Sequence, residues 1–443
     1  MGDAYASIET RPWTEIKRLH EDLLAEQIEY LATESGFYRD RFNEWEIDPA
    51  DIDSLEALRD VPFTTKDDER ACQEDTDAER PLGDHQAAPT EALNRTISSS
   101  GTTGKPTYFG LTDADRRKWN EVLQRCFYTA GIRPEDTVIF GVGQTMVPGG
   151  TPYFEGLTEL GCNVVPAGGG TTDRLLSAIT DLSGDVLFTT TSHLRYLSEN
   201  APELLGHDVD ELPLTKLIGG GGPGIANPEI RRELAEEWNA TTVREIMGLG
   251  DVIACLWAEC DQEDGMHYHG QGHVHVELID PETGKVTPFE EGTEGELVYT
   301  PLQREATPLL RFRSGDVVRV TGTECPCGRT SPKIQCIGRT DDMLIYKGMN
   351  VFPSALRDVV SDVDGLLPHA QVVVPDADKV HFEEPIPLRV VVDPDSNRDT
   401  DKIVDDAISM VRSRLKVRID PRPADLESIE LSEYKADLVV KDD

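Results

Sequence analysis

The stretch Ser98-Ser99-Ser100-Gly101-Thr102-Thr103-Gly104-Lys105-Pro106-Thr107 packs hydroxyls, two glycines and a lysine into ten residues. Glycines let backbone N–H groups close on an anion, hydroxyls add donors, and Lys105 supplies charge, so the stretch suits a phosphate. It is not a Walker A loop, because the G-x-x-x-x-G-K-[ST] spacing fails. Read by itself, such a run is more often a surface loop. A second group of chemistry-bearing residues lies downstream. Glu259-Cys260, Gly265-Met266-His267 and Cys325-Pro326-Cys327-Gly328 offer three thiols and an imidazole, a Cys3His set of the kind that holds structural zinc. Cys-x-Cys is tighter than the usual finger knuckle, and the spacing leaves open whether residues 260–267 meet residues 325–327. His269, His273 and His275 are competing ligands, the last two on one face of a strand.

The elements that must position these groups read as two units. Trp13, Ile16, Leu19, Leu23 and Leu24 recur with helical period, ahead of the Asp48-Pro49-Ala50-Asp51 break, and predict a helical entry segment. Val138-Ile139-Phe140-Gly141, Cys162-Asn163-Val164-Val165, Val186-Leu187-Phe188-Thr189 and Lys216-Leu217-Ile218 predict short strands alternating with helices. Residues 273–321 change to alternating strands, as in His275-Val276-Glu277-Leu278-Ile279 and Gly295-Glu296-Leu297-Val298-Tyr299, an antiparallel section. After Gly338 the pattern is strand, helix from Pro353, strands at 371–374 and 388–392, and a helix with Ile403, Ala407, Ile408, Val411 and Leu415 on one face. The fold class is therefore α/β: a large N-terminal domain, 1–338, with a β-rich section, and a small C-terminal α+β domain, 339–443.

Composition narrows the function. The 443 residues carry 43 Lys and Arg against 83 Asp and Glu, a net charge of −40. That sign repels nucleic acid and anionic lipid, so neither is an expected partner. The acidic residues are spread along the chain, which predicts a hydrated surface suited to high salt and a halophilic source. Residues 1–30 lack a basic start and an apolar core, and no run of about 18 apolar residues occurs, so a cytoplasmic protein without a membrane span is expected.

The Ser98–Thr107 stretch resembles the phosphate loop of adenylate-forming enzymes, and further motifs follow in that superfamily's order. The nearest resemblance is to phenylacetate–CoA ligases and their relatives, including coenzyme F390 synthetase-like proteins. It begins with Tyr38-Arg39-Asp40-Arg41-Phe42 and Val61-Pro62-Phe63-Thr64-Thr65-Lys66-Asp67-Asp68. It continues through Leu309-Leu310-Arg311-Phe312-Arg313-Ser314-Gly315-Asp316, then Gly338-Arg339-Thr340-Asp341-Asp342-Met343 with Lys347-Gly348-Met349-Asn350-Val351-Phe352-Pro353, and ends with Leu431-Ser432-Glu433-Tyr434-Lys435-Ala436.

This resemblance implies a ligase that adenylates a carboxylic acid with ATP and Mg²⁺ and passes the acyl group to coenzyme A, the acid being phenylacetate or another aryl acid. Ser99, Ser100, Gly101, Thr102, Thr103, Gly104 and Lys105 would hold ATP phosphates, Asp316 the ribose, and Arg339 would lie near the nucleotide. Asp341 would be the hinge about which the small domain rotates, and Lys435 the catalytic lysine, although Tyr434 stands where the family has a small residue. Gly221, Gly222 and Pro223 match a nucleotide-contacting segment, with Gly222 in place of its acid. In Ile246-Met247-Gly248-Leu249-Gly250-Asp251 the family shows Tyr-Gly-x-Ser/Thr-Glu. Met247 thus replaces an adenine-stacking aromatic, Gly250 a hydroxyl, and Asp251 keeps a shorter carboxylate for Mg²⁺. Phe140, Gly141 and His193 would line the acyl pocket. Cys260, His267, Cys325 and Cys327 would hold structural zinc, His267 being favoured by its place in the motif, and a homodimer is a family expectation. Two alternatives remain, an F390 synthetase-like adenylyltransferase and a degenerate nucleotide-binding protein.

Overall fold

The computed structural model describes residues 4–74, 76, 79–99, 106–220, 224–340, 343–347, 349–374, 381–394, 396–426 and 438–441. The entry segment is helical, as its periodicity requires: α1 (Trp13–Glu34) and α2 (Gly36–Glu44) bury Leu24, Ile28, Leu31, Tyr38 and Phe42 with Leu302 and Leu310. Helix α3 (Lys66–Cys72) starts on a capping box between Thr65 and Asp68, each serving the other's backbone N–H. The hairpin of β1 (Leu93–Ser99) and β2 (Thr107–Thr112) sets Ser99 opposite Thr107 and leads into α4 (Asp113–Thr129).

From there strands and helices alternate: β3 (Thr137–Phe140), α5 (Thr151–Leu160), β4 (Asn163–Pro166), α6 (Thr172–Asp181), β5 (Val186–Thr190), α7 (Thr191–Leu205), β6 (Lys216–Gly220), α8 (Pro228–Glu237) and β7 (Thr242–Leu249). The order β7-β6-β5-β3-β4 is wholly parallel. Val138, Ile139, Phe140, Val186, Leu187, Leu217 and Ile218 are all buried, as expected when helices cover both faces of a parallel sheet.

The β-rich section comprises β8 (Ile253–Glu259), β9 (Met266–Tyr268), β10 (Val274–Ile279), β11 (Val286–Thr287), β12 (Glu294–Pro301), β13 (Phe312–Gly322) and β14 (Lys333–Arg339). It is antiparallel, as its alternation implies, but it is not a separate sheet. Antiparallel β8 pairs with β7, so both sections form one sheet of twelve strands in the order β11-β10-β12-β13-β14-β9-β8-β7-β6-β5-β3-β4.

The small domain holds β15 (Leu344–Tyr346), β16 (Met349–Val351), α9 (Pro353–Ser361), β17 (Leu366–Val374), β18 (His381–Phe382), β19 (Ile386–Val392), α10 (Thr400–Leu415), β20 (Ile419–Ala424) and β21 (Val439–Lys441). Helix α9 begins at Pro353, and α10 buries Ile403, Ala407 and Val411 in this domain's own core, with Ile408 and Leu415 packed against it. Strand β14 keeps Gly338 and Arg339 in the large sheet, opposite Val317 and Asp316. No described helix is long and apolar enough to cross a membrane.

One buried pair ties the entry segment to the sheet. Arg311 donates to both Glu277 oxygens at 3.0 Å and to the carbonyls of Arg59 and Val61 at 2.6 Å. Glu277→Ala strands that guanidinium without its anion and should cost about 3–5 kcal/mol in denaturant unfolding. A loss below about 1 kcal/mol, the worth of an exposed pair, would contradict this role.

Candidate active site

The parallel strands end together, and loops at the carboxyl edge of such a sheet are where α/β proteins bind ligands. The edge is glycine-rich for steric reasons. A Cβ on Gly220 would press on Ile246, and one on Gly248 would collide with the Ala254 carbonyl where β7 turns into β8. Gly250 has no room for the hydroxyl residue of the family, because Pro148 fills the place of its Cβ. Met247 is partly buried opposite Trp257. Gly141 and His193 meet at Thr189: a Cβ on Gly141 would lie 3.1 Å from Thr189 Cβ, and His193 Nδ1 is 2.8 Å from Thr189 Oγ1. Phe140 lies in the core, its ring against Phe154 and Phe188, so it backs the edge rather than opening onto it.

Two features border this edge. At the base of the β1–β2 hairpin, Ser99 Oγ and Thr107 Oγ1 are buried hydroxyls without a hydrogen-bond partner among the described residues. At the end of the large domain, Arg339 Nη1 donates to Asp316 Oδ1 at 2.7 Å, and Asp316 N donates to Ser314 Oγ at 3.0 Å. Asp316 is thereby a buried carboxylate held by a guanidinium, at the last strand before the small domain.

Asp251 is buried in the β7–β8 turn, where its carboxylate is ion-paired with the ammonium of Lys66. Lys66 Nζ also lies 3.0 Å from Glu69 Oε2. Burial would lower the Lys66 pKa, but Glu69 and Asp251 outweigh that effect and raise it. Burial, then repulsion from Asp251, pushes Glu69 up to about 8. In the sequence Lys66 is marked only by the family likeness of its segment, and Glu69 carries no signal. Gln73 fastens the end of this helix to the hairpin, accepting from Tyr108 N at 2.9 Å.

The Cys3His set converges. The donor atoms of Cys260, His267, Cys325 and Cys327 lie within 4.8 Å of one another. Tetrahedral Zn–S bonds of about 2.3 Å place sulfurs about 3.8 Å apart; Cys260 and Cys325 are 3.7 Å apart, and Cys327 Sγ is 3.4 Å from His267 Nε2. The hydrogen bond from Cys260, opposed by burial and aided by that from His267, drives the Cys327 thiol pKa down. Ser331 Oγ lies 3.4 Å from His267 Nδ1 and is placed to orient the ring. The competing histidines have other neighbours: His269 Nδ1 is 3.5 Å from Glu9 Oε2, His273 Nε2 is 3.0 Å from Glu121, and His275 stacks edge-on to His20.

The expectations for Ser100, Gly101, Thr102, Thr103, Gly104, Lys105, Gly221, Gly222, Pro223, Asp341 and Lys435 lie outside the described residues.

No family model matches the chain. Solved structures do: it superposes on 2-hydroxyisobutyryl-CoA ligase in its postadenylation state with TM-score 0.87 at 26% identity, covering 98% of this chain and 91% of the other. ATP-bound MatB of Rhodopseudomonas palustris shares the fold at TM-score 0.53 and 19% identity, over 76% of this chain and 65% of that one. With a buried carboxylate at the domain boundary and a glycine-rich strand edge, this fold defines an adenylate-forming acid–CoA ligase, which works through an acyl-adenylate. The phenylacetate–coenzyme A ligase of Thermus thermophilus is 35% identical over 83% of this chain and 80% of its own length, and that of Escherichia coli 32% over 83% and 81%. The chain belongs to the phenylacetate–coenzyme A ligase family.

Glu69 yields a pH test. A carboxyl whose folded pKa is raised from 4.5 to about 8 binds more protons folded than unfolded between those values, so its contribution is lost as pH rises through that window. Denaturant unfolding between pH 5 and about pH 8 should show the wild type losing stability more steeply than Glu69→Gln. Parallel curves would contradict the assignment.

Proposed function

We propose that this ligase acts on an aryl acid, phenylacetate being the leading substrate. The observation that carries the reading is the 32–36% identity to four phenylacetate–coenzyme A ligases, over 74–88% of this chain. ATP phosphates would lie in the loop from Ser99 to Lys105, with the ribose on Asp316 beside Arg339 and the adenine over Met247 and Gly248 near Gly221, Gly222 and Pro223. A carboxylate accepting two ribose hydroxyls makes charge-assisted bonds, stronger than neutral ones. The acyl group would sit at Gly141 and His193, with Phe140 behind. Lys435, carried on the small domain that turns at Asp341, would set its ammonium against the charge that builds as carboxylate attacks the α-phosphate.

Two metals belong to this reading. Asp251 would hold the Mg²⁺ that accompanies ATP, and Lys66, which now neutralises that carboxylate, has to yield to it. Cys260, His267, Cys325 and Cys327 would hold zinc, a structural ion in a closed donor set. Glu9 lies beside it, its Oε2 accepting from Arg329 Nε at 2.8 Å, so the ion would also brace the N-terminal segment. A cytoplasmic, salt-adapted homodimer completes the proposal.

Purified protein in high salt with Mg²⁺, ATP and a panel of aryl and aliphatic acids tests the reaction, with pyrophosphate and AMP recorded with and without coenzyme A. We expect phenylacetate-dependent release that turns over repeatedly with coenzyme A and falls by about 100-fold or more in Lys435→Ala. Release independent of coenzyme A would favour an F390 synthetase-like transferase. AMP binding without release would favour the degenerate binder to which Met247, Gly250 and Asp251 point. For zinc, elemental analysis should find one ion per chain, and Cys327→Ala should lose it together with several degrees of melting temperature. Metal-free wild type of unchanged melting temperature would refute the site.

A further inference from the structure

The small domain is fastened to the large one at a seam that no sequence motif marks. Arg195 on α7 is set in place by Glu233 of α8, whose Oε2 accepts from Nη2 at 3.0 Å. Its Nη1 lies 3.0 Å from Nε2 of His369 on β17. Burial, then Arg195 and Arg357, push the His369 pKa down to about 3, so the ring is a neutral acceptor at ordinary pH. Asn227 makes the second tie. As N-cap of α8 it accepts from Glu229 N and Ile230 N through Oδ1, and it turns Nδ2 to Ser361 Oγ at 3.2 Å and Asp358 Oδ1 at 3.4 Å, at the last turn of α9. Asn227 is buried and stands just beyond Pro223, at the end of the segment expected to touch nucleotide.

The arrangement of the two domains has a counterpart. The TM-score is 0.87 to 2-hydroxyisobutyryl-CoA ligase in its postadenylation state, 0.74 to its open conformation and 0.70 to its thioesterification state, at 26–27% identity and 98% coverage of this chain each time. Similarity and coverage being equal, what separates the three scores is the placement of the domains, and the present placement is the postadenylation one. Contacts that cross the seam here are then specific to one half-reaction.

We propose that Arg195 and Asn227 are positioning residues that latch the small domain in the adenylating arrangement, through His369 and the last turn of α9, and that breaking this latch is part of the passage to thioester formation. The inference rests on the two-step ligase reading. A charge-assisted hydrogen bond is worth roughly tenfold in such an equilibrium, enough to shift a two-state domain without unfolding it.

His369→Leu removes the acceptor, His369→Gln keeps one, and Asn227→Ala removes the second tie. Phenylacetate-dependent ATP–pyrophosphate exchange reads adenylation alone, and transfer from synthetic phenylacetyl-adenylate to coenzyme A reads the second step alone. We expect His369→Leu to slow exchange about tenfold while transfer holds or rises, and His369→Gln to restore exchange. Equal loss of both half-reactions, or no change in either, overturns the latch. Small-angle scattering of the same proteins without substrate separates the two readings. If the wild type shows no exchange with any acid of the panel, the ligase reading fails, yet a shift of His369→Leu, and not His369→Gln, away from the present arrangement still supports the latch, and identical profiles refute it.

Discussion

The ion pair between Asp316 and Arg339 holds together what this enzyme must keep in register. It exists because β13 and β14 pair with Asp316 opposite Arg339, and Thr340 N then donates to the Gly315 carbonyl at 2.7 Å. Gly315, at φ 75°, takes the left-handed conformation that glycine adopts without strain, and a Cβ there would press on the Arg339 guanidinium. The carboxylate expected to hold the ribose and the end of the large sheet are thus one structural unit. A residue further back, Gly338 lets Phe352, the N-cap residue of α9, pack directly on the strand. A shift of register by one residue would turn both charged side chains to the other face of the sheet.

The continuous sheet gives this unit its leverage. Because β8 pairs antiparallel with β7, the loops of the parallel section and the pair on β13 and β14 belong to one rigid surface. Among the described residues, charges buried along that surface are matched, as Arg311 is by Glu277, Lys66 by Asp251 and Glu69, and Arg231 by Glu259, or neutralised, as Glu245 is, whose carboxyl is pushed up to about 8 by burial and then by Glu259. One or the other is obligatory there, since an unpaired buried charge costs far more than a buried pair gains. The seam with the small domain is built differently. Beside the packing of Phe352 on Gly338 and the bond from Ser354 Oγ to the Ile337 carbonyl, its ties include a few polar bonds around Arg195 and Asn227, each weak enough to exchange in the domain rotation proposed above.

Local patterns carried much of this into the sequence. The apolar runs of β3, β5 and β6, the proline that opens α9 and the one-sided stripe of α10 are consequences of period and capping, and all are present. The Cys3His set was legible as chemistry, and its convergence required only that β9 lie beside β14. What stayed hidden was long-range. Arg195 and His369 are 174 residues apart, and Lys66 and Asp251 185, distances over which neither spacing nor composition constrains a pair. The merging of the two β sections was also hidden, since alternation reports the direction of side chains within a strand and not which strand lies next to it. Phe140 shows the same limit at one residue: the family resemblance implied a pocket residue, and the pleat turns its ring into the core.

The most direct measurement is calorimetric titration of the wild type and Asp316→Asn with a non-hydrolysable phenylacetyl-adenylate analogue. Loss of the charged acceptor should weaken binding by about 10- to 100-fold, the worth of one to two charge-assisted hydrogen bonds, and denaturant unfolding of the two proteins reads separately the stability lost when Arg339 is left without its anion. Equal affinities for the two proteins would mean that the nucleotide does not lie on Asp316, and the account of this site would fall.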